Sequence, residues 1–211
     1  MIELQQYVMS VSLVNVIQFG GTFAFAVSGI RLAAAKEFDW FGAFIVGLVT
    51  AIGGGTIRDL LLDVTPFWML HPEYMFCSVL ALFTVIIFSR KLVRLNTPFF
   101  IFDTIGLALF VVVGIEKTIL LGYPFWVAIV MGTITGVAGG IIRDLFINEI
   151  PLIFRKEFYA LPCVIGGIAY VGCDKLRMGN ILCQVITVSL ILILRILAVR
   201  YRWGLPKLKD K

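Results

Sequence analysis

Slid against itself by 85 positions, without a gap, the chain meets its own copy. Arg58-Asp59-Leu60 falls on Arg143-Asp144-Leu145, Pro66 on Pro151 and Tyr74 on Tyr159. Earlier in each half, Gly21, Phe25, Gly29 and Ile30 fall on Gly106, Phe110, Gly114 and Ile115, while Gly47, Thr50 and Gly55 fall on Gly132, Thr135 and Gly140. The repeated unit holds three apolar runs, near 8–30, 40–62 and 74–89, answered by 98–115, 124–147 and 158–173; a seventh run follows at 179–198. Three membrane crossings per unit is an odd number, so the second unit enters the membrane the opposite way round from the first. The expected fold is an all-α membrane protein of seven transmembrane helices. It is an inverted 3+3 repeat plus one C-terminal helix, divided as 1–90, 91–176 and 177–211.

Composition carries the membrane reading. Of the 211 residues 60% are apolar and 15% charged, and the mean hydropathy is +1.01, well above that of soluble domains. About 20 apolar residues cross a hydrocarbon core of roughly 30 Å, which each run approaches. The first run is too long for a signal peptide, lacks a basic leading region and has no convincing cleavage site, so it is read as a retained helix.

Basic residues set the expected orientation. Arg31 and Lys36 follow the first run, Arg90, Lys91 and Arg94 the third, Arg155 and Lys156 the fifth, and Arg200, Arg202, Lys207, Lys209 and Lys211 the last. The other face carries chiefly Lys117, Lys175 and Arg177. The protein is expected to be multi-pass in the cell's inner (plasma) membrane, and that bias predicts an outside N-terminus and a cytoplasmic C-terminus. It also accounts for the net charge of +5, which points to anionic membrane lipids as partners and not to nucleic acid. Cys77, Cys163, Cys173 and Cys183 show no CxxC spacing and read as buried thiols. His71 is the only histidine, so no histidine-based metal site is expected.

An inverted repeat brings equivalent residues together near the bilayer midplane, an architecture of translocation more than of catalysis. Gly47, Ala51 and Gly55 recur at every fourth position, as do Gly132, Gly136 and Gly140; such stripes let helix backbones approach closely. The run Gly53-Gly54-Gly55, echoed by Gly139 and Gly140, exceeds that need and predicts a kink or short break whose freed carbonyls face a polar cavity. Charges at this depth must pair. Adjacent helical residues point about 100° apart, so Arg58 and Arg143 are each expected to reach an aspartate across helices. Asp59 and Asp144 are then candidate cation-attracting groups, with Ser28, Thr50, Thr56, Thr135 and Asp103 on the same path. Gln18, Thr22, Thr104 and Thr133 are further polar groups on the spans. Asp103 falls on Gln18 in the repeat.

The glycine cluster followed by Arg-Asp, its echo in the second half, and the stretch FDTIGLALFVVVGIEK from Phe102 to Lys117 resemble the prokaryotic branch of the TRIC family, the trimeric intracellular cation channels. The likeness runs over roughly residues 10 to 200. The same bacterial domain also bears the label glycine transporter. The resemblance implies a homotrimer with one pore per protomer, permeable to monovalent cations and mainly to potassium. It also implies kinks and gating at Gly53 to Gly55 and at Gly139 and Gly140. No cofactor is expected beyond the permeant K+ or Na+ and bound lipid. A secondary transporter of a small zwitterion such as glycine needs a similar midplane cavity and is the second reading. An intramembrane acid-base dyad is disfavoured, because a neighbouring arginine holds an aspartate in its charged form.

Overall fold

The computed structural model describes residues 2–88, 96–155 and 158–204, with side chains over 13–88, 99–155 and 158–204. Arg90, Lys91, Arg94, Lys156, Lys207, Lys209 and Lys211, used above for orientation, lie outside those side chains. Among the described residues all regular structure is helical. The main helices are α1 (Ile2–Ala35), α2 (Trp40–Leu61), α3 (Glu73–Ile87), α4 (Asn96–Leu120), α5 (Phe125–Phe146), α6 (Leu161–Lys175) and α7 (Asn180–Arg200).

Five of them, α1, α2, α4, α5 and α7, are long and apolar enough to cross a membrane. The other two, α3 and α6, have 15 residues each; at about 1.5 Å per residue they rise roughly 22 Å. Each short helix follows a fold-back in its half. Pro66 opens a single turn, Phe67–Leu70, and Pro151 opens a 3-10 turn, Leu152–Phe154. The structure also corrects two equivalent boundaries: α1 and α4 continue past the expected ends at 30 and 115, so Arg31, Glu116 and Lys117 lie within helices.

Local chemistry fixes the helix ends. Asp39 caps α2 by accepting from the Gly42 amide at 2.6 Å, a common N-cap device. Asp63 (φ 55°) and Asn148 (φ 56°) stop α2 and α5 in the left-handed region, which short polar side chains tolerate better than most. They are repeat equivalents.

The pseudo-twofold runs through the core. Phe25 of α1 and Phe110 of α4, equivalent residues and both fully buried, pack with ring centroids 5.3 Å apart. Thus α1 lies against α4, while α2 lies against α5, and α7 packs on α6 and α4. Gly47 sits over Ile30 and the Ala26 carbonyl; Gly132 sits over Ile115 and the Val111 carbonyl. On the same faces Ala51 is buried and Gly136 meets the Leu107 carbonyl. Small residues here allow backbone contact that a larger side chain would prop apart.

Candidate functional site

Helices α2 and α5 run unbroken through Gly53–Gly55 and Gly139–Gly140. Of the expected kink or short break, the break is therefore corrected: Gly54 and Gly139 serve an approach of two backbones within continuous helices. A methyl on Gly54 would collide with the Thr135 carbonyl oxygen, and one on Gly139 with the Thr50 carbonyl oxygen. The flanking glycines make room for side chains. Gly53 faces Ile142, Gly55 faces the Phe67 ring, and Gly140 faces the Tyr159 hydroxyl.

The threonines bond within their own helices. Thr50 donates to the Val46 carbonyl and Thr135 to the Met131 carbonyl, both at 2.6 Å; Thr133 and Thr56 do the same to Ile129 and Ile52. Such i−4 bonds satisfy a hydroxyl at membrane depth. Thr56 also accepts from the Trp68 indole at 3.0 Å, tying the fold-back turn to α2.

Two charge clusters follow the glycines. In the first, Arg58 Nε donates to Asp59 Oδ1 at 2.8 Å, and the second carboxylate oxygen accepts the Phe67 amide at 2.9 Å. Lys117 of α4 reaches the same Oδ1 at 2.7 Å. In the second, Arg143 Nε donates to Asp144 Oδ1 at 2.9 Å and Asp144 Oδ2 accepts the Leu152 amide at 3.0 Å. Each aspartate therefore holds its own arginine and staples the fold-back after Pro66 or Pro151. Arg58 thus departs from the expected pairing across helices, because an arginine side chain is long enough to curl back to the next residue.

Arg143 does extend across helices as well. Its Nη1 donates to Ser28 Oγ at 2.8 Å and to Asp103 Oδ1, and its guanidinium stands 4.8 Å over the Phe99 ring. Asp103 also faces Arg195 of α7 at 3.7 Å; that guanidinium stacks on Tyr159 at 4.7 Å and on Phe100 at 5.3 Å. Arg58, Asp59, Asp103, Arg143 and Arg195 are all essentially out of contact with solvent. Buried charges persist only when paired in this way.

Two cavities flank the clusters at opposite ends of α1. One, of about 590 Å³, opens near Leu32, Lys36, Phe99, Asp144, Leu152 and Arg195. The other, of about 400 Å³, opens near Val14, Gln18, Phe67, Glu116, Lys117 and Tyr170. The repeat relates them: Phe99, Leu152 and Leu32 of the first correspond to Val14, Phe67 and Lys117 of the second. At the first mouth Lys36 and Arg155 both pair with Glu149. These pairs hold the Glu149 carboxyl below its usual pKa, the Lys36 hydrogen bond contributing most.

The structure brings the candidates Ser28, Asp103, Arg143 and Asp144 together; Arg195, Tyr159 and Glu116 are polar groups of the clusters and cavities outside the candidate set. The available signal for Arg195 was a lone charge in the most apolar run, which requires a buried partner.

Comparison with known proteins shows what this architecture belongs to. The family described as Glycine transporter matches the chain twice, over residues 15–90 and 100–175, spaced by the same 85 positions as the internal repeat. A UPF0126 membrane protein of Vibrio cholerae is 38% identical over 200 residues, covering 94% of this chain and 84% of that protein. The UPF0126 inner membrane protein YadS of Escherichia coli is 40% identical over 195 residues, covering 88% of this chain and 91% of its own. The TRIC trimeric intracellular cation channel orthologue from Rhodobacter sphaeroides superposes with a TM-score of 0.86 at 31% identity, covering 90% of this chain and 99% of that one. The chain is a membrane protein of the glycine transporter family, whose fold is that of the prokaryotic TRIC channels.

Proposed function

We propose that the protein is a monovalent cation channel, mainly for potassium, working as a homotrimer with one pore in each protomer. The observation that carries this reading is the pair of repeat-related cavities at opposite ends of α1, one lined by Asp144 and the other by Lys117, which pairs with Asp59. The path runs between α1, α2, α4 and α5, where the two halves face each other. Asp59 and Asp144 supply the field that favours cations. The arginines and Lys117 keep that field from becoming a trap, since conduction needs attraction without tight retention.

Opening requires rearrangement of the clusters, which separate the two cavities in this conformation. The α2–α5 crossing is suited to it, because backbone contacts at Gly54 and Gly139 let the helices slide with little side-chain interlocking. The path itself needs no cofactor, and K+ or Na+ is its cargo. Seven crossings, the division at 1–90, 91–176 and 177–211, and a cytoplasmic C-terminus complete the reading. Lys36, Arg155, Arg200 and Arg202 lie at the end of the molecule assigned to the cytoplasm.

The relatives' family label favours a second reading, a secondary transporter of glycine or a similar zwitterion. Two cavities that alternate in access would serve it equally. Proteoliposomes separate the two. Thallium influx that falls in Asp59→Asn and Asp144→Asn supports the channel, and saturable glycine uptake without thallium influx supports the transporter.

A further inference from the structure

Glu116 stands apart from the other acids of the helical core. Asp59, Asp103 and Asp144 each pair with a lysine or arginine, but no salt bridge among the described residues reaches Glu116. Its Oε1 instead accepts from two neutral donors, the Tyr170 hydroxyl of α6 at 2.7 Å and the Gln184 amide of α7 at 2.6 Å. The carboxylate also lines the cavity of about 400 Å³.

A second observation lies on α7. Gln184 is 1% exposed, and its amide oxygen, held beside the carboxylate by the Nε2 bond, has no partner. Buried polar atoms are normally satisfied, so a carboxylate without a counter-charge and the orphan Gln184 oxygen beside it call for a cation.

We propose that Glu116, Tyr170 and Gln184 form a binding site for one largely dehydrated monovalent cation, K+ or Na+, at the edge of this cavity. The donors are all oxygen, which suits hard ions. A single carboxylate balances a single positive charge, which matters most where water is scarce. Among the described residues no cluster of three His, Cys, Asp or Glu is present that would favour a divalent metal. Under the repeat Arg31 occupies the position of Glu116, so the site belongs to one end of the molecule only. Its role as an entry station rests on the channel reading; its occupancy does not.

The test uses the purified full-length protein and infrared difference spectroscopy, exchanging potassium chloride for N-methyl-D-glucamine chloride at constant pH and ionic strength. The site predicts a carboxylate band that shifts with potassium and vanishes in Glu116→Gln, while Glu149→Gln, at the opposite mouth, leaves it intact. Should Glu116→Gln fail to fold, Gln184→Leu keeps the carboxylate and is expected to weaken potassium binding about tenfold, the loss of one good ligand. A wild-type spectrum indifferent to the cation, or a protonated Glu116 carbonyl band in both salts, overturns the proposal. Absent binding with cation currents intact removes this site alone, whereas binding without any current removes the channel reading and leaves the site.

Discussion

Gly54 and Gly139 meet where α2 crosses α5, each facing the carbonyl oxygen of a threonine on the other helix, Thr135 and Thr50 respectively. The contact is reciprocal because the four residues are two repeat-equivalent pairs. The pseudo-twofold axis therefore passes through a contact of two backbones, with no side chain between them.

Substituting either glycine by alanine tests that contact. The opposing carbonyl belongs to a helix and moves only if the helix moves, so Gly54→Ala and Gly139→Ala should each cost about 1–3 kcal/mol, as overpacked core sites do. The double variant should cost less than the sum, since one displacement of the helices relieves both clashes. Gly172→Ala has no neighbour within 4 Å and should be neutral or slightly stabilising. Thermal unfolding in detergent, followed by tryptophan fluorescence, measures all four.

Asp103 is the shared counter-charge of Arg143 and Arg195. Asp103→Asn should therefore destabilise by about 3–5 kcal/mol, the usual cost of breaking a buried pair from one side. Its repeat equivalent Gln18 has no such burden, and Gln18→Met should have a much smaller effect in the same unfolding assay.

Lys117 is the partly exposed member of the first cluster, bonded to a carboxylate that is fully buried. Lys117→Met removes a positive charge from the proposed path and frees one lone-pair direction of Asp59, so unitary cation conductance should rise. Asp59→Asn should lower it, and Gly54→Leu should abolish it by wedging the crossing. Flux unchanged in all three would place the pore elsewhere.

The Lys36-Glu149-Arg155 group links the loops of the two halves and supplies a pH dependence. Glu149 is held below its usual pKa in the folded protein, so its contribution is complete above the ordinary glutamate value of about 4.3 and is lost as pH falls through the lowered one. Melting temperature should therefore fall on acidification below that value. Glu149→Gln should be less stable than wild type near neutrality and converge with it in acid.

Much of this was legible in the sequence, because symmetry writes the same residues twice. The repeat located six of the seven main helices, the stripes of glycine and the two Arg-Asp pairs. The details that escaped are those where one chemical fact serves two structures. Missing Cβ atoms at Gly53 to Gly55 weaken a helix and also admit another helix; the sequence states the absence but not which use is made of it. Arg58 and Arg143 were expected to look away from their neighbouring aspartates because Cβ directions diverge, yet the flexible stem brings each guanidinium back. Glu116 escaped because its partners, Tyr170 and Gln184, come from two other helices and carry no charge to mark them.

The central claim is conduction of cations through each protomer. Its most direct test is single-channel recording of the purified protein in planar bilayers under a potassium chloride gradient, with and without glycine. The account predicts discrete currents that reverse near the potassium equilibrium potential and are indifferent to glycine. Silent bilayers, from protein that takes up glycine into liposomes, would contradict it.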